Sequence, residues 1–416
     1  MKTFNVKDIS ENITNKNKSS LLSSFFKKNI LKKFKSLTHG SIQITDNNHI
    51  YEVGNTKSSL KCNIIIKSDD FYVFLGSGGL LGASEAYAAN LWDCDDLVSL
   101  TQIMVRNQKL MTSLDSGLAK LVVPINKLIH YTKRNTILGS KKNILAHYDL
   151  GNDFYKLWLD KTMTYSCGFF ENQKSSLEDA SIKKLDMICK KLKLSKEDSV
   201  LEIGTGWGSF SIHAASNYGC KVTTTTISDS QYEYAKSKIK DLKLDNLITI
   251  VKKDYRLLEG QYDKIASIEM IEAVGHKNVP VLFSKISSLL KGGGLFAMQG
   301  ITYNDQKFDT YKNSVDFINK YIFPGSCLIS INQISETVKN NTSLDFIDLE
   351  DITSHYARTL NMWRKNFLGK QKDIKKLGFS DTFIRLWEFY LTYCEAGFLE
   401  KNIGDYQFVF SKQMEY

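Results

Sequence analysis

The chain has 416 residues, 42% of them hydrophobic and 12% aromatic, with a formal net charge of +10. That length predicts two domains, or one domain with a large annex, and the composition argues against a disordered or fibrous chain. Seven cysteines with no CxxC pair and no clustered His/Cys set argue against a disulfide framework and a metal site, and fit a reducing cytoplasm.

Residues 1–40 carry nine lysines against Asp8 and Glu11. Within them, "LLSSFFKKNILKKFKSL" sets Leu22, Phe26, Ile30, Phe34 and Leu37 along one helical stripe, with Lys27, Lys28, Lys32 and Lys35 off it. Such a basic amphipathic helix suits an anionic bilayer surface or docks on its own protein. Nucleic acid is not expected as a partner, because basic charge comes here without a recognised binding motif.

Residues 41–107 read as a small α+β domain. "SIQITD", "HIYEVG", "CNIIIKS" and "FYVFLG" are short β-branched or aromatic runs, followed by a glycine-rich turn and helices. Residues 108–140 read as a helical connector, and 141–416 as the main domain. No run of about 18 apolar residues escapes Lys or Asp, so the chain is expected to be soluble or to lie on a membrane rather than through it.

From about residue 195 strands and helices alternate. "DSVLEIG", "KVTTTTI", "LITIVKKD", "YDKIASIEM" and "GGLFAMQGI" are strands, which predicts a doubly wound, mostly parallel α/β sheet. The aromatic, helical stretch 304–400 is expected to form a lid over its carboxyl edge. After the first strand, "LEIGTGWGS" places Gly204, Gly206 and Gly208, with Trp207 between them, where the backbone passes close to a ligand. The spacing is GxGxG rather than the GxGxxG that suits a pyrophosphate, and Glu202 precedes it. This favours S-adenosylmethionine over a dinucleotide, hence a Rossmann-like class I methyltransferase domain. Thr226, Ile227 and Gln231 of "TISDSQ" replace the usual acidic ribose ligand. In "KDYR", Asp254 is expected near the adenine amino group and Tyr255 against its face, with Arg256 beside them.

Seven ordered segments then carry a resemblance: "AHYDLGNDFYKLWLDKTMTYSCGFF", "LEIGTGWGSFSIHAASNYG", "TISDSQYEYAK", "IEMIEAVGHKN", "NKYIFPGSCLIS", "HYARTLNMW" and "YCEAGF" with "YQFVFSK". Together, from about residue 40 to the end, the chain resembles the cyclopropane fatty-acyl-phospholipid synthases. The resemblance implies methyl transfer from S-adenosylmethionine to a cis double bond of an acyl chain on a bilayer phospholipid. A carbocation then loses a proton to a bound bicarbonate and closes a ring. It also implies that Cys167, Glu272 and Tyr356 hold the bicarbonate, that Tyr165 and Ser166 contact the cofactor, and that Cys394 lies near the pocket. Glu269 stands where the family need not have an acid, and His147 is expected to orient a loop or to be structural. Many relatives have His in "LLHTI" where this chain has Gln299 in "AMQGI". Gln donates a hydrogen bond but carries no proton, which leaves the product open between a ring and a methylene or methyl branch. The implied location is the inner face of the cytoplasmic membrane, with a homodimer left open. A small-amine N-methyltransferase and a non-catalytic lipid-binding protein are the competing readings.

Overall fold

The computed structural model describes residues 20–114 and 150–414. The polar residues 1–19, His147 and all of the connector beyond the helix Gln108–Leu114 lie outside the described residues. The chain divides into two compact units. The first gathers residues up to 114, 315–322 and 363–402, and the second gathers 150–314, 323–362 and 403–414. This division is interleaved along the chain, whereas the sequence reading runs through consecutive segments with boundaries at 40, 107 and 140. The helix Asp381–Leu399, expected in the lid of the main domain, belongs instead to the first unit, where it packs on the helices Asp70–Ala88 and Leu97–Arg106.

In the first unit, β1 (Ser41–Asp46), β2 (His49–Gly54), β3 (Lys61–Ile66) and β4 (Trp92–Cys94) form a sheet in the order β2-β1-β3-β4. Strict alternation along β1 turns Ile42 and Ile44 inward. "FYVFLG" is not a strand but the start of the helix Asp70–Ala88. Phe71, Tyr72, Val73, Phe74 and Leu75 are all buried, and a helix buried on every side reads as the same unbroken apolar run as a buried strand. The expected glycine turn survives only as a break within this helix, at Gly79 (φ 58°).

The helix Ser20–Phe34 inserts Phe26, Ile30 and Phe34, followed by Leu37, into this same core. Of the two fates the stripe allows, docking on the protein is the one seen for these four residues, while Leu22 at its start stays exposed. Lys27 belongs to this attachment: its Nζ lies 2.6 Å from the buried Asp46 carboxylate, which also accepts from the Tyr72 hydroxyl at 2.6 Å.

The second unit is built on a seven-stranded sheet of β5 (Ser199–Ile203), β6 (Lys221–Thr226), β7 (Ile248–Lys252), β8 (Tyr262–Ile268), β9 (Leu290–Tyr303), β10 (Leu344–Asp351) and β11 (Ile403–Lys412). Its order is β10-β11-β9-β8-β5-β6-β7. The first five of these strands run parallel, and β11 is antiparallel to both neighbours. Its central strands are covered on both faces, so β5 and the middle of β9 read as unbroken buried runs, whereas the edge strand β10 is mostly exposed. Leu201, Phe296, Phe408 and Phe410 join one core with Leu282 and Phe283, whereas Val200, Ala297 and Val409 join another with Phe210 and Ala214. Strand order reverses between β5 and β8, and ligands of such sheets bind at the carboxyl ends beside that reversal. Among the described residues, no helix is long and apolar enough to cross a membrane.

Candidate active site

The loop after β5 is held in a conformation that favours glycine. Gly204, Gly206 and Gly208 have φ of 102°, 52° and 90°. Two amides, those of Gly204 and Thr205, donate to the Thr225 carbonyl at 3.1 and 3.0 Å and tie the loop to the end of β6. A Cβ built at Gly206 would meet no atom within 4 Å, so the loop leaves room for a ligand there. Glu202 is buried and accepts from the Thr224 hydroxyl at 2.6 Å. Burial pushes its carboxyl up to about 8, against the pull of the Thr224 and Ser211 hydroxyls and the Lys184 charge.

The other expected cofactor residues surround this loop in part. Trp207 donates to the Asn152 amide oxygen at 2.7 Å and lies 4.9 Å, ring to ring, from Tyr155. Tyr165 packs 5.5 Å from that same Tyr155 ring, and Ser166 accepts from Lys184 Nζ at 2.6 Å. The Thr226 hydroxyl donates to Gln231 at 3.0 Å, and Ile227 follows at the end of β6. Asp254 differs from expectation. Both its oxygens are taken by Arg256, at 2.8 and 2.7 Å, and the guanidinium lies 5.3 Å from the Tyr255 ring centre. The "KDYR" turn is therefore closed on itself, with Tyr255 packed against the core.

Beyond β8 the backbone places a cluster of acids. Glu269 takes a left-handed conformation (φ 46°), uncommon for a residue with a Cβ, and its amide donates to the Gln299 carbonyl at 2.8 Å. Its Oε1 accepts from the Cys167 amide at 2.8 Å and from Gln299 Nε2 at 2.7 Å, and its Oε2 accepts from the Tyr356 hydroxyl at 2.6 Å. In the β9–β11 register Gln299 faces Gln407, and alternation brings Asp405 to the same side. Gln407 donates to Gln299 Oε1 at 3.2 Å, while Gln299 Nε2 reaches Asp405 at 3.0 Å. Glu272, in the short turn Ile271–Ala273, accepts from the Ile301 amide at 2.6 Å. Met270 joins this cluster to the cofactor loop, since a Cβ at Gly204 would meet its Cγ at 3.1 Å.

Burial dominates the electrostatics. It pushes Glu272 up to about 8, helped by the neighbouring Glu269, and it raises Asp405, which Glu269 and Glu272 raise further. Glu269 is also raised by burial, but Lys184, Tyr356, the Cys167 amide and Gln299 all pull it back. The Lys184 ammonium, fully buried, is itself pushed down by loss of water. Burial, then Asp405 and Glu269, push the Cys167 thiol well up, which disfavours the thiolate there.

Of the residues expected at the anion pocket, the structure brings together Cys167, Gln299 and Tyr356, with Glu272 on the next turn. Cys394 is not among them: it lies on the helix Asp381–Leu399 of the first unit, its thiol raised by burial and by Asp316. Sequence reasoning passed over Lys184, Asp405 and Gln407, and it noted Glu269 without giving it a role. The available signals were the i, i+3 pair of acids in "EMIE" and the alternating polar residues of "GDYQF". His355 accepts from the Phe170 amide at 3.1 Å and stacks on Phe169, a structural role.

The doubly wound sheet, the glycine loop at its switch point and the room at Gly206 define an S-adenosylmethionine-dependent methyltransferase, here a C-methyltransferase. Residues 137–408 match the profile described as "Mycolic acid cyclopropane synthetase", and the chain belongs to that family. It is 34% identical to the cyclopropane-fatty-acyl-phospholipid synthase of Escherichia coli, over 86% of this chain and 90% of that one. It is 32% identical to a tuberculostearic acid methyltransferase of Mycobacterium tuberculosis, over 82% and 80%. A solved mycolic acid cyclopropane synthase complexed with S-adenosylhomocysteine superposes with a TM-score of 0.62 at 28% identity, covering 65% of this chain and 98% of that one.

Proposed function

We propose that this protein methylates the cis double bond of an unsaturated acyl chain on a membrane phospholipid and closes a cyclopropane ring. The observation that carries the reading is the buried acid cluster joined through Met270 to the cofactor loop. An alkene is a weak nucleophile and its methylation leaves a carbocation, so the reaction needs a dry pocket with fixed negative charge and a proton acceptor. When bound, S-adenosylmethionine supplies the electrophilic methyl group. Glu202, the glycine loop, Thr226 and Gln231 are the residues that would hold it. The name of the Escherichia coli relative supports the phospholipid substrate. A bound bicarbonate fits poorly as the base, because its expected donors already hold Glu269.

The same proposal places the protein at an anionic bilayer, on the inner face of the cytoplasmic membrane. The outward face of the helix Ser20–Phe34 carries Leu21 and Phe25, 82% and 59% exposed, and then the exposed Lys28 and Lys32, with the exposed Lys35 just past its end. The Leu21→Asp/Phe25→Asp variant is expected to lose sedimentation with anionic vesicles while keeping cofactor affinity; unchanged vesicle binding removes this face from the proposal.

The primary test is the fatty-acid profile of a synthase-null bacterium expressing the protein, read by gas chromatography and mass spectrometry. A ring-bearing acid one methylene heavier than the monounsaturated precursor supports the reading. A methylene- or methyl-branched acid overturns ring closure, and an unchanged profile from folded, cofactor-binding protein overturns the lipid substrate.

A further inference from the structure

We propose that Glu269 is the proton acceptor of ring closure, so that the protein carries in its own chain the base that a bound anion would otherwise provide. The inference rests on the methyl-transfer reading above. Three donors converge where a small anion would be held, namely the Cys167 amide, Gln299 Nε2 and the Tyr356 hydroxyl, and all three are bonded to the Glu269 carboxylate. An additional anion would have to displace that carboxylate or sit beside it.

Charge argues against the second arrangement. Glu272 and Asp405 already crowd the same buried region, where Lys184 is the cation that pulls on Glu269 and Asp405. Buried charges persist only when paired and hydrogen-bonded. The Glu272 Oε2 and Asp405 Oδ1 atoms are buried without a hydrogen-bond partner, as suits carboxyl groups that stay neutral. The negative charge then falls to Glu269, whose two oxygens accept from donors. Its left-handed backbone is strained and persists only where the surroundings hold it, as the Gln299 carbonyl does here.

This geometry also answers the objection that a carboxylate would be trapped by the carbocation as an ester. Both oxygens of Glu269 are pinned, so the group cannot swing onto the cationic carbon. A carboxylate offers about four lone-pair sites. Oε1 accepts from two donors and Oε2 from Tyr356, and the Asp405 carboxyl also hydrogen-bonds the group, so a proton taken up by Glu269 is shared with Asp405. In balanced form, the alkene forms a bond to the methyl carbon as the carbon–sulfur bond breaks, leaving neutral S-adenosylhomocysteine and a carbocation. A C–H bond of the new methyl group then breaks. Its electron pair closes the ring, and its proton passes to Glu269 Oε2 and then to solvent before the next turnover.

The test uses the full-length enzyme with unsaturated phospholipid vesicles in buffer freed of carbon dioxide. Turnover of the wild type is expected to be unchanged, within about twofold, when bicarbonate is added, and Glu269→Gln is expected to lower kcat at least about 100-fold with cofactor Kd unchanged. Glu269→Ala empties the three donors. Isotopically labelled bicarbonate should then bind that variant, seen by NMR, and not the wild type, and should restore part of its turnover. Wild-type activity that stops without bicarbonate and returns with it, labelled bicarbonate bound to the wild type, or full kcat in Glu269→Gln would each overturn the proposal. The wild-type arms decide even if a variant fails to fold. No methylated acyl product under either condition would overturn the methyl-transfer reading instead, while the labelled-bicarbonate arm still decides the anion site.

Discussion

The two units differ in how they gather buried charge. In the first, acids are mostly matched one by one, Asp46 by Lys27 and Tyr72, Glu395 by Arg364 at 2.8 Å, and the part-buried Glu85 by Lys320 and Tyr321 at 2.8 and 2.6 Å, with Asp316 buried on backbone amides alone. In the second, Glu202, Glu269 and Asp405 are buried within reach of the single Lys184 charge, and Glu272 is buried beside Glu269. Matched charge fixes architecture; excess charge of one sign in a dry place costs stability and persists at sites of chemistry. The contrast separates substitutions that unfold from those that silence.

Gly206→Val carries the largest expected effect. A branched side chain would enter the free space at that position and be forced to a left-handed backbone, raising cofactor Kd by about 100-fold. Isothermal titration calorimetry checks it, and near-native affinity would show that the ligand lies elsewhere. Asp46→Ala should act the other way. It strands Lys27 and Tyr72 and costs about 2–3 kcal/mol in urea unfolding, with cofactor Kd unchanged. A parallel loss of cofactor affinity would break the comparison between the units.

Tyr356→Phe removes one donor from Glu269 and should lower kcat about tenfold, leaving cofactor affinity and thermal midpoint unchanged. The smallest effect concerns pH. Burial raises Glu202 and Glu272 from 4.5 to about 8, so the folded protein binds more protons than the unfolded chain across that interval. This stability is present in full below pH 4.5 and is lost as pH rises through 8, by at most about 1.4 kcal/mol per pH unit for each group. Glu202→Gln should flatten the slope of urea stability between pH 6 and 8; an unchanged slope would place the buried charge elsewhere.

Much of the second unit was legible in the chain. Each βα step is local, the glycine loop needs left-handed backbone at defined positions, and ordered motifs named the family from residues alone. The candidate site was legible only in part. Cys167, Gln299 and Tyr356 could be named from motifs, but nothing in "IEMIEAVG" shows that Glu269 rather than Glu272 receives their hydrogen bonds. That depends on a positive φ after β8 and on a register between β9 and β11, which pairs Gln299 with Gln407, 108 positions away.

The first unit shows the opposite balance. "FYVFLG" is compatible with strand and helix alike, and the stripe of Phe26, Ile30 and Phe34 with a bilayer or a protein core, since apolar periodicity states that a face is buried and not against what. Cys394 sits in a segment that the chain order assigns to one unit and the packing to the other. The sequence by itself set the five parallel strands, the cofactor loop and the chemistry on offer, because these follow from spacing within short segments, whereas β10, inside the stretch expected to be helical, and β11 came from the structure. Only the tertiary structure decided which carboxylate holds the donors and which apolar faces are spent on the core, because both depend on residues distant in the chain meeting in a medium where an unpaired charge is costly.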